Sequence, residues 1–265
     1  MAVSSRLNND RGEGTINNQT VSQGELVSAR QELLQKEKEL THLQEEVSRQ
    51  RRELPWVKVE KEYVFDTPNG KKTLAELFDG RSQLIVYHFM LGPGKKAGCV
   101  GCSFLSDHVD GANMHLKHHD VTFVTISRAP LDEIEAYKKR MGWRFDWVSS
   151  YGNDFNYDYH VSFKPEELAK GKVYYNFEMT ENKLEDLHGT SVFYKDETGA
   201  IFHTYSAYAR GDERGLGTYM FLDLTPKGRN ENGPTFSLMD WVKRHDEYES
   251  DGSAKSNGQA QAARA

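Results

Sequence analysis

Two cysteines in 265 residues are too few for a disulfide-stapled scaffold. Long apolar runs are missing as well. No stretch approaches the roughly 18 consecutive apolar residues of a membrane span, so no membrane association is expected. Basic residues are in the minority, with 34 Lys+Arg against 40 Asp+Glu and a net charge of -6. That balance argues against a general nucleic-acid binder, which needs a basic face. Neither G-x-x-x-x-G-K-[ST] nor G-x-G-x-x-G occurs, so nucleotide binding has no motif. The opening MAVSSRLNNDRGEG has no apolar core behind its charge, and the expectation is a cytoplasmic chain without a signal peptide. A hydrophobic content of 37% nevertheless supports a real core over this length.

Composition divides the chain into four parts. Residues 1–21, rich in Asn, Ser, Gly and Gln, read as a disordered tail, and so do residues 250–265. Ser22 and Glu25 have capping-box spacing, and Leu26, Leu33, Leu40, Val47 and Leu54 recur every seven residues. This predicts one amphipathic helix over 22–54. The second heptad seam is poor, with Arg30 and Glu37 in it, so the helix is expected to lie on the domain rather than form a coiled coil. An oligomer through this helix is the alternative.

Residues 55–249 read as one α/β domain of about 200 residues. WVKVEKEYVF alternates like a strand, Pro68-Asn69-Gly70 makes a turn, and Thr73 with Glu76 starts a short helix. SQLIVYHFML and VTFVTIS are nearly continuous apolar runs, the pattern of strands buried on both faces. Between them Leu105, Val109, Ala112 and Leu116 fall at helical spacing, and Pro130 opens another helix. A strand pair at SVFYKD and AIFHTY follows, and a last helix is expected over 236–248.

The cysteine pair carries the chemistry. Cys99-Val100-Gly101-Cys102 follows a buried strand and a Gly/Pro-rich loop and opens a helix. The unpaired N–H groups of a helix N-terminus stabilise a thiolate, and Lys95 and Lys96 are expected to add positive charge. Cys99, at the helix mouth, is the expected nucleophile. Cys102, one turn inside, is the expected resolving thiol. Two other readings stand beside this one. The first takes both cysteines as ordinary buried thiols. The second joins Cys99 and Cys102 to His115 and His119 in the spacing C-x2-C-x12-H-x3-H, a zinc-binding interaction module. Ser106 and Ala112 stand where such a finger needs large apolar residues, and Asp107 and Asp110 suit DNA poorly, so zinc ranks second.

Elsewhere the signals are weaker. The aromatic run from Trp143 to Phe163 reads as core before it reads as a substrate groove. Arg210 and Arg214 around Gly211-Asp212-Glu213 read as a surface ion pair before an anion site.

The strings YHFMLGPGKKAGCVGCSFLSDHVDG, VTFVTISRAPLDEIEAYKKRMGW, WVSSYGNDFNYDYHVSF and YARGDERGLGTYMFLDLTPKGR resemble a family within the thioredoxin-like superfamily. That family, catalogued as a domain of unknown function, is described as predicted dithiol–disulfide oxidoreductases. The resemblance implies a thioredoxin-like fold, a central mixed sheet flanked by helices with an N-terminal helical extension. It also implies disulfide chemistry at Cys99 and Cys102. A protein or small-molecule disulfide would be the substrate, with a separate reducing partner and no metal or organic cofactor. Two departures matter. Thioredoxins place a cis-proline before the strand facing the pair, where this chain has His188-Gly189-Thr190. Peroxiredoxins carry P-x-x-x-T-x-x-C, but here Pro93 is one residue too close to Cys99 and Ala97 replaces the hydroxyl. Thiol peroxidase activity therefore ranks below disulfide exchange.

Overall fold

The computed structural model describes residues 19–231, 233–235 and 237–248. The two expected tails fall almost wholly outside these residues. Helix α1 (Gln23–Arg52) starts on the expected capping box, with the Ser22 N–H donating to Glu25 Oε2 at 2.9 Å. Strands β1 (Val57–Lys58), β2 (Val64–Thr67) and β3 (Gly70–Thr73) lead into α2 (Leu74–Leu77), which begins on the Thr73–Glu76 capping box. Strand β4 (Gln83–His88) is followed by α3 (Val100–Ser106), α4 (Val109–His118), β5 (Val121–Ser127), α5 (Leu131–Met141) and β6 (Asp146–Ser149). Short helices α6 (Phe155–Asp158) and α7 (Pro165–Leu168) precede a small separate hairpin, β7 (Lys172–Tyr175) and β8 (Glu178–Glu181). Strands β9 (Gly189–Lys195) and β10 (Ile201–Tyr208) and helix α8 (Gly217–Leu222) complete the set.

Eight strands form one mixed sheet in the order β1-β10-β9-β4-β5-β6-β2-β3. Strands β4, β5 and β6 are parallel, each joined to the next by the long helical crossover that parallel pairing needs. The β9–β10 hairpin runs antiparallel to β4 on its other side. A strand followed through a loop by a C-x-x-C at a helix start, a helical crossover to a parallel neighbour and an antiparallel hairpin beyond make the thioredoxin-like arrangement. Apolar side chains fill both faces. Leu84, Val86, Val124, Ile126 and Phe155 pack on one side. Tyr87, Phe89, Ile134, Tyr137, Trp143 and Trp147 pack on the other, so most of the aromatic run is core.

Four expectations are corrected. First, α1 does not lie along the domain. Leu26, Leu33, Leu40, Val47 and Leu54 are all exposed, and the helix buries none of its residues. The reason is the polar second seam, where Arg30 and Glu37 pair with each other at 2.7 Å instead of seating an apolar neighbour. Only the last turn engages the sheet, through Arg51 stacked 4.7 Å over the Tyr205 ring. Second, WVKVEKEYVF is not one strand. Strand β1 pairs with β10 at one edge of the sheet and β2 with β6 towards the other, so the chain must cross between them. Third, the segment after the cysteines is two helices, broken at Asp107-His108. Those side chains bond outward to Trp143 Nε1 (2.8 Å) and to Thr218 N (3.0 Å). Fourth, among the described residues 237–248 hold two short 3-10 turns, Leu238–Asp240 and His245–Glu247, in place of a helix. Trp241, Val242, Arg244 and Asp246 must each reach a different anchor on the domain, which a continuous helix cannot do.

Candidate active site

Cys99 is the N-cap residue of α3, and Cys102 lies one turn inside it. Both are free thiols, Cys99 half-buried and Cys102 1% exposed. Their position follows from the loop before them. At Gly98 a Cβ would stand 2.2 Å from a ring carbon of Phe89, so only glycine lets the chain pass this close to the core. The Cys99 N–H then donates to Met90 O at 3.2 Å, and the Ser103 hydroxyl donates to Cys99 O at 2.8 Å. Arg244, from the C-terminal segment, donates through Nε to the Gly98 carbonyl at 3.1 Å. Leu238 packs over Gly101, 3.3 Å from where a Cβ would be. The segment 237–248 thus straps the loop that carries Cys99.

The two thiols sit in opposite environments. The Cys102 thiol hydrogen-bonded to Cys99 is the main influence lowering the Cys99 pKa, from 9.0 to about 6. Burial works against it, while the N–H groups of Cys102 and Gly101 and the charge of His188 add to the lowering. Cys102 is pushed well above the ordinary thiol value, first by burial and then by its bond to the Cys99 thiolate and that thiolate's charge. Tyr87 of β4 hydrogen-bonds Cys102 from beneath.

His188 stands at the entry to β9, where thioredoxins place their cis-proline, and faces the pair. Its Nδ1–H donates to Asp212 Oδ2 at 2.8 Å, and its carbonyl accepts from the Tyr175 hydroxyl at 2.8 Å. Burial alone would lower the His188 pKa. The bond and charge of Asp212, reinforced by Cys99, raise it overall. Next to it Gly189 is again obligatory, since a Cβ would lie 2.7 Å from the Tyr208 ring. Asp212 is buried, in a 3-10 turn (Ala209–Gly215) that follows β10.

The expected residues are therefore partly regrouped. Cys99 and Cys102 are together at the helix mouth. Lys95 and Lys96 do not contribute to the lowered Cys99 pKa; they line a separate cleft with Glu133 and Arg140, and His188 supplies the positive charge instead. His115 and His119 are exposed at the far end of α4, and among the described residues no three Cys, His, Asp or Glu side chains converge as a metal site. The four-ligand zinc arrangement is not formed. Arg210 pairs with Glu213 at 2.8 Å on the surface, as expected, but Asp212 between the two arginines turns inward. Sequence reading missed His188, Asp212 and Tyr87 as neighbours of the pair. The only sequence signal was that a histidine, not a proline, precedes the facing strand. Nothing local marks Asp212.

Comparison with curated proteins finds no match. Among solved structures the chain is similar to peroxidoxin BcpB from Mycobacterium tuberculosis, at 10% identity and a TM-score of 0.41, covering 62% of this chain and 95% of that one. A peroxiredoxin Q from Xanthomonas campestris gives 11% identity and a TM-score of 0.39, over 58% and 86%. The reduced 2-Cys peroxiredoxin from Plasmodium vivax gives 14% and 0.37, over 60% and 83%. A family model spans residues 15–248, nearly the whole chain, and by that match the protein belongs to the family described as bacterial protein of unknown function (DUF899).

Proposed function

We propose that this protein is a thiol–disulfide oxidoreductase in which Cys99 is the attacking and Cys102 the resolving thiol. The observation that carries the reading is the asymmetry of the pair: one half-buried thiol held at about 6, and one sealed thiol held high. A thiol at about 6 is mostly thiolate at neutral pH, and it keeps good nucleophilicity because reactivity falls only gradually with basicity and this value is still close to the ambient pH.

The Cys99 thiolate attacks one sulfur of a substrate disulfide. The S–S bond breaks, the leaving thiolate takes a proton, and the Cys99 sulfur is joined to the substrate. The His188 imidazolium, held by Asp212, is the proton source beside the pair. Once Cys99 is in a mixed disulfide it no longer carries charge. Two of the three influences that hold the Cys102 proton on then disappear, the thiolate's hydrogen bond and its charge. Cys102 ionises only at that stage, with His188 as acceptor, and displaces the second substrate thiolate. Substrate leaves reduced by two electrons, and the protein is left with a Cys99–Cys102 disulfide that an external dithiol must reduce.

The test is reduction of a protein disulfide such as that of insulin, recycled by dithiothreitol, in wild type and two variants. Cys99→Ser is expected to lose all activity. Cys102→Ser is expected to accumulate mixed disulfides that mass spectrometry sees at Cys99. Equal loss without trapping in both variants would overturn the division of roles. Rapid peroxide consumption without disulfide reduction would identify a thiol peroxidase instead.

A further inference from the structure

Between the α4 face and the middle of the sheet lies a cavity of about 450 Å³, within the usual range for small-molecule sites. Its floor comes from cross-strand rows. Ile85 of β4 is paired with Val192 of β9, which is paired with Tyr205 of β10, and all three line it. The next row along, Tyr87, Thr190 and Ala207, continues it towards the cysteines. Ile85 and Val192 sit in central strands, where burial should be complete, yet both are only half-buried. The roof explains this. Val109, Ala112 and Leu116, the apolar stripe of α4, line the cavity from above instead of closing onto those strands. Ile85 and Leu116 are therefore only partly buried against the neighbouring core, and room is left between the stripe and the floor.

The polar groups around the cavity are unbalanced. Arg51, from the end of α1, and Arg214 line it, and neither has a carboxylate partner among the described residues. Arg51 Nε–H is buried without an acceptor. His108 also lines the cavity. Its Nε2 accepts from Thr218 N–H at 3.0 Å, so the proton is on Nδ1, which is likewise buried without an acceptor. Asp212 is the one carboxylate in the lining, and His188 already holds its charge. The cleft therefore offers two buried donors without acceptors, Arg51 Nε and His108 Nδ1, beside one buried acceptor without a donor, Asp212 Oδ1. Its two arginines outnumber its one carboxylate, so an anion with an apolar body complements it. From Val109 to Leu116 the roof spans roughly 10 Å of helix, the extended length of about eight carbons.

We propose that this cavity is a binding site for a medium-chain carboxylate, its chain between the α4 stripe and the β4–β9–β10 floor and its head on Arg51. The site explains why α1, exposed along nearly all its length, lays Arg51 of its last turn over Tyr205. It stands apart from the thiol chemistry, so failure of either reading leaves the other intact. Through Tyr87 and Asp212, however, a bound chain would lie against the two groups that face Cys102 and His188.

The test is calorimetric titration of the full chain with octanoate, alongside 1-octanol and octyltrimethylammonium as neutral and cationic probes of equal length. Octanoate is expected to bind one to one and at least fivefold tighter than octyltrimethylammonium. Arg51→Gln, a change on an otherwise exposed helix, should weaken octanoate at least fivefold and leave 1-octanol within twofold. Val192→Phe, which fills the floor, should weaken both. The proposal is overturned if octanoate shows no saturable binding, if the cation binds as well as the anion, or if Arg51→Gln leaves octanoate affinity unchanged. Should Val192→Phe fail to fold, the Arg51→Gln comparison still decides.

Discussion

A thiol held at about 6 beside one held far higher titrates in separate steps, and the Cys99 step is within easy reach of experiment. Site-resolved alkylation by iodoacetamide against pH should show Cys99 reacting with a midpoint near 6, and Cys102 almost inert at neutral pH. His188→Gln removes a positive neighbour, so the midpoint should rise, by roughly half to one unit. Asp212→Asn should do the same less directly, by lowering the histidine's own affinity for its proton. A midpoint unmoved in both variants would sink the role given to the His188–Asp212 pair. Stability carries the same signature. The folded Cys99 value lies below its unfolded 9.0, so between about pH 6 and 9 the native state holds fewer protons on this sulfur than the unfolded chain. The stability this thiol contributes is fully present above 9.0 and is lost as pH falls through about 6. The difference in unfolding free energy between wild type and Cys99→Ala should therefore grow from pH 6 to 9.

At the scale of elements, two extensions behave differently. Helix α1 buries nothing, and its ion pairs are exposed ones worth little. Removing residues 1–45 should leave the melting temperature within about 2 °C, because the Arg51 contact is retained. A fall of more than about 5 °C that depends on protein concentration would instead show the Leu/Val stripe paired with a second copy. The C-terminal strap is the opposite case: short turns, but firmly anchored. Arg244 is 17% exposed and gives its charge-assisted hydrogen bonds to the Gly98 carbonyl. Arg244→Ala should cost roughly 1.5–3 kcal/mol in denaturant unfolding and make Cys99 more accessible to alkylation. The capping boxes at Ser22 and Thr73 were legible because Ser/Thr and Glu three residues apart bond locally. The 3-10 turns of 237–248 were not. Their course is set by Trp241 against Phe104 and by Arg140 holding Asp246 at 2.7 Å, contacts with distant residues.

For the whole molecule, stabilising the thiolate favours the reduced state. The Cys99–Cys102 couple should be more oxidising than thioredoxin, with a potential less negative than about −270 mV in glutathione equilibration, and the reduced protein should melt above the oxidised one. A potential at or below that of thioredoxin would mean that the lowered pKa is offset elsewhere in the fold. Much of the architecture followed from the chain alone. Two continuous apolar runs had to be buried central strands, and a C-x-x-C between a strand and a helix had to sit at a helix mouth, since periodicity and helix-end chemistry act over a few residues. Tertiary structure alone decided which charges face the thiols. Lys95 and Lys96, four and three residues from Cys99, turn to another cleft, whereas His188 and Asp212 arrive from the far hairpin and the turn beyond it. Electrostatic influence depends on distance in space and on burial, and neither is written in sequence separation. The same holds for the gap over Ile85 and Val192: each face has the pattern of core, and only their relative placement leaves a cavity between them.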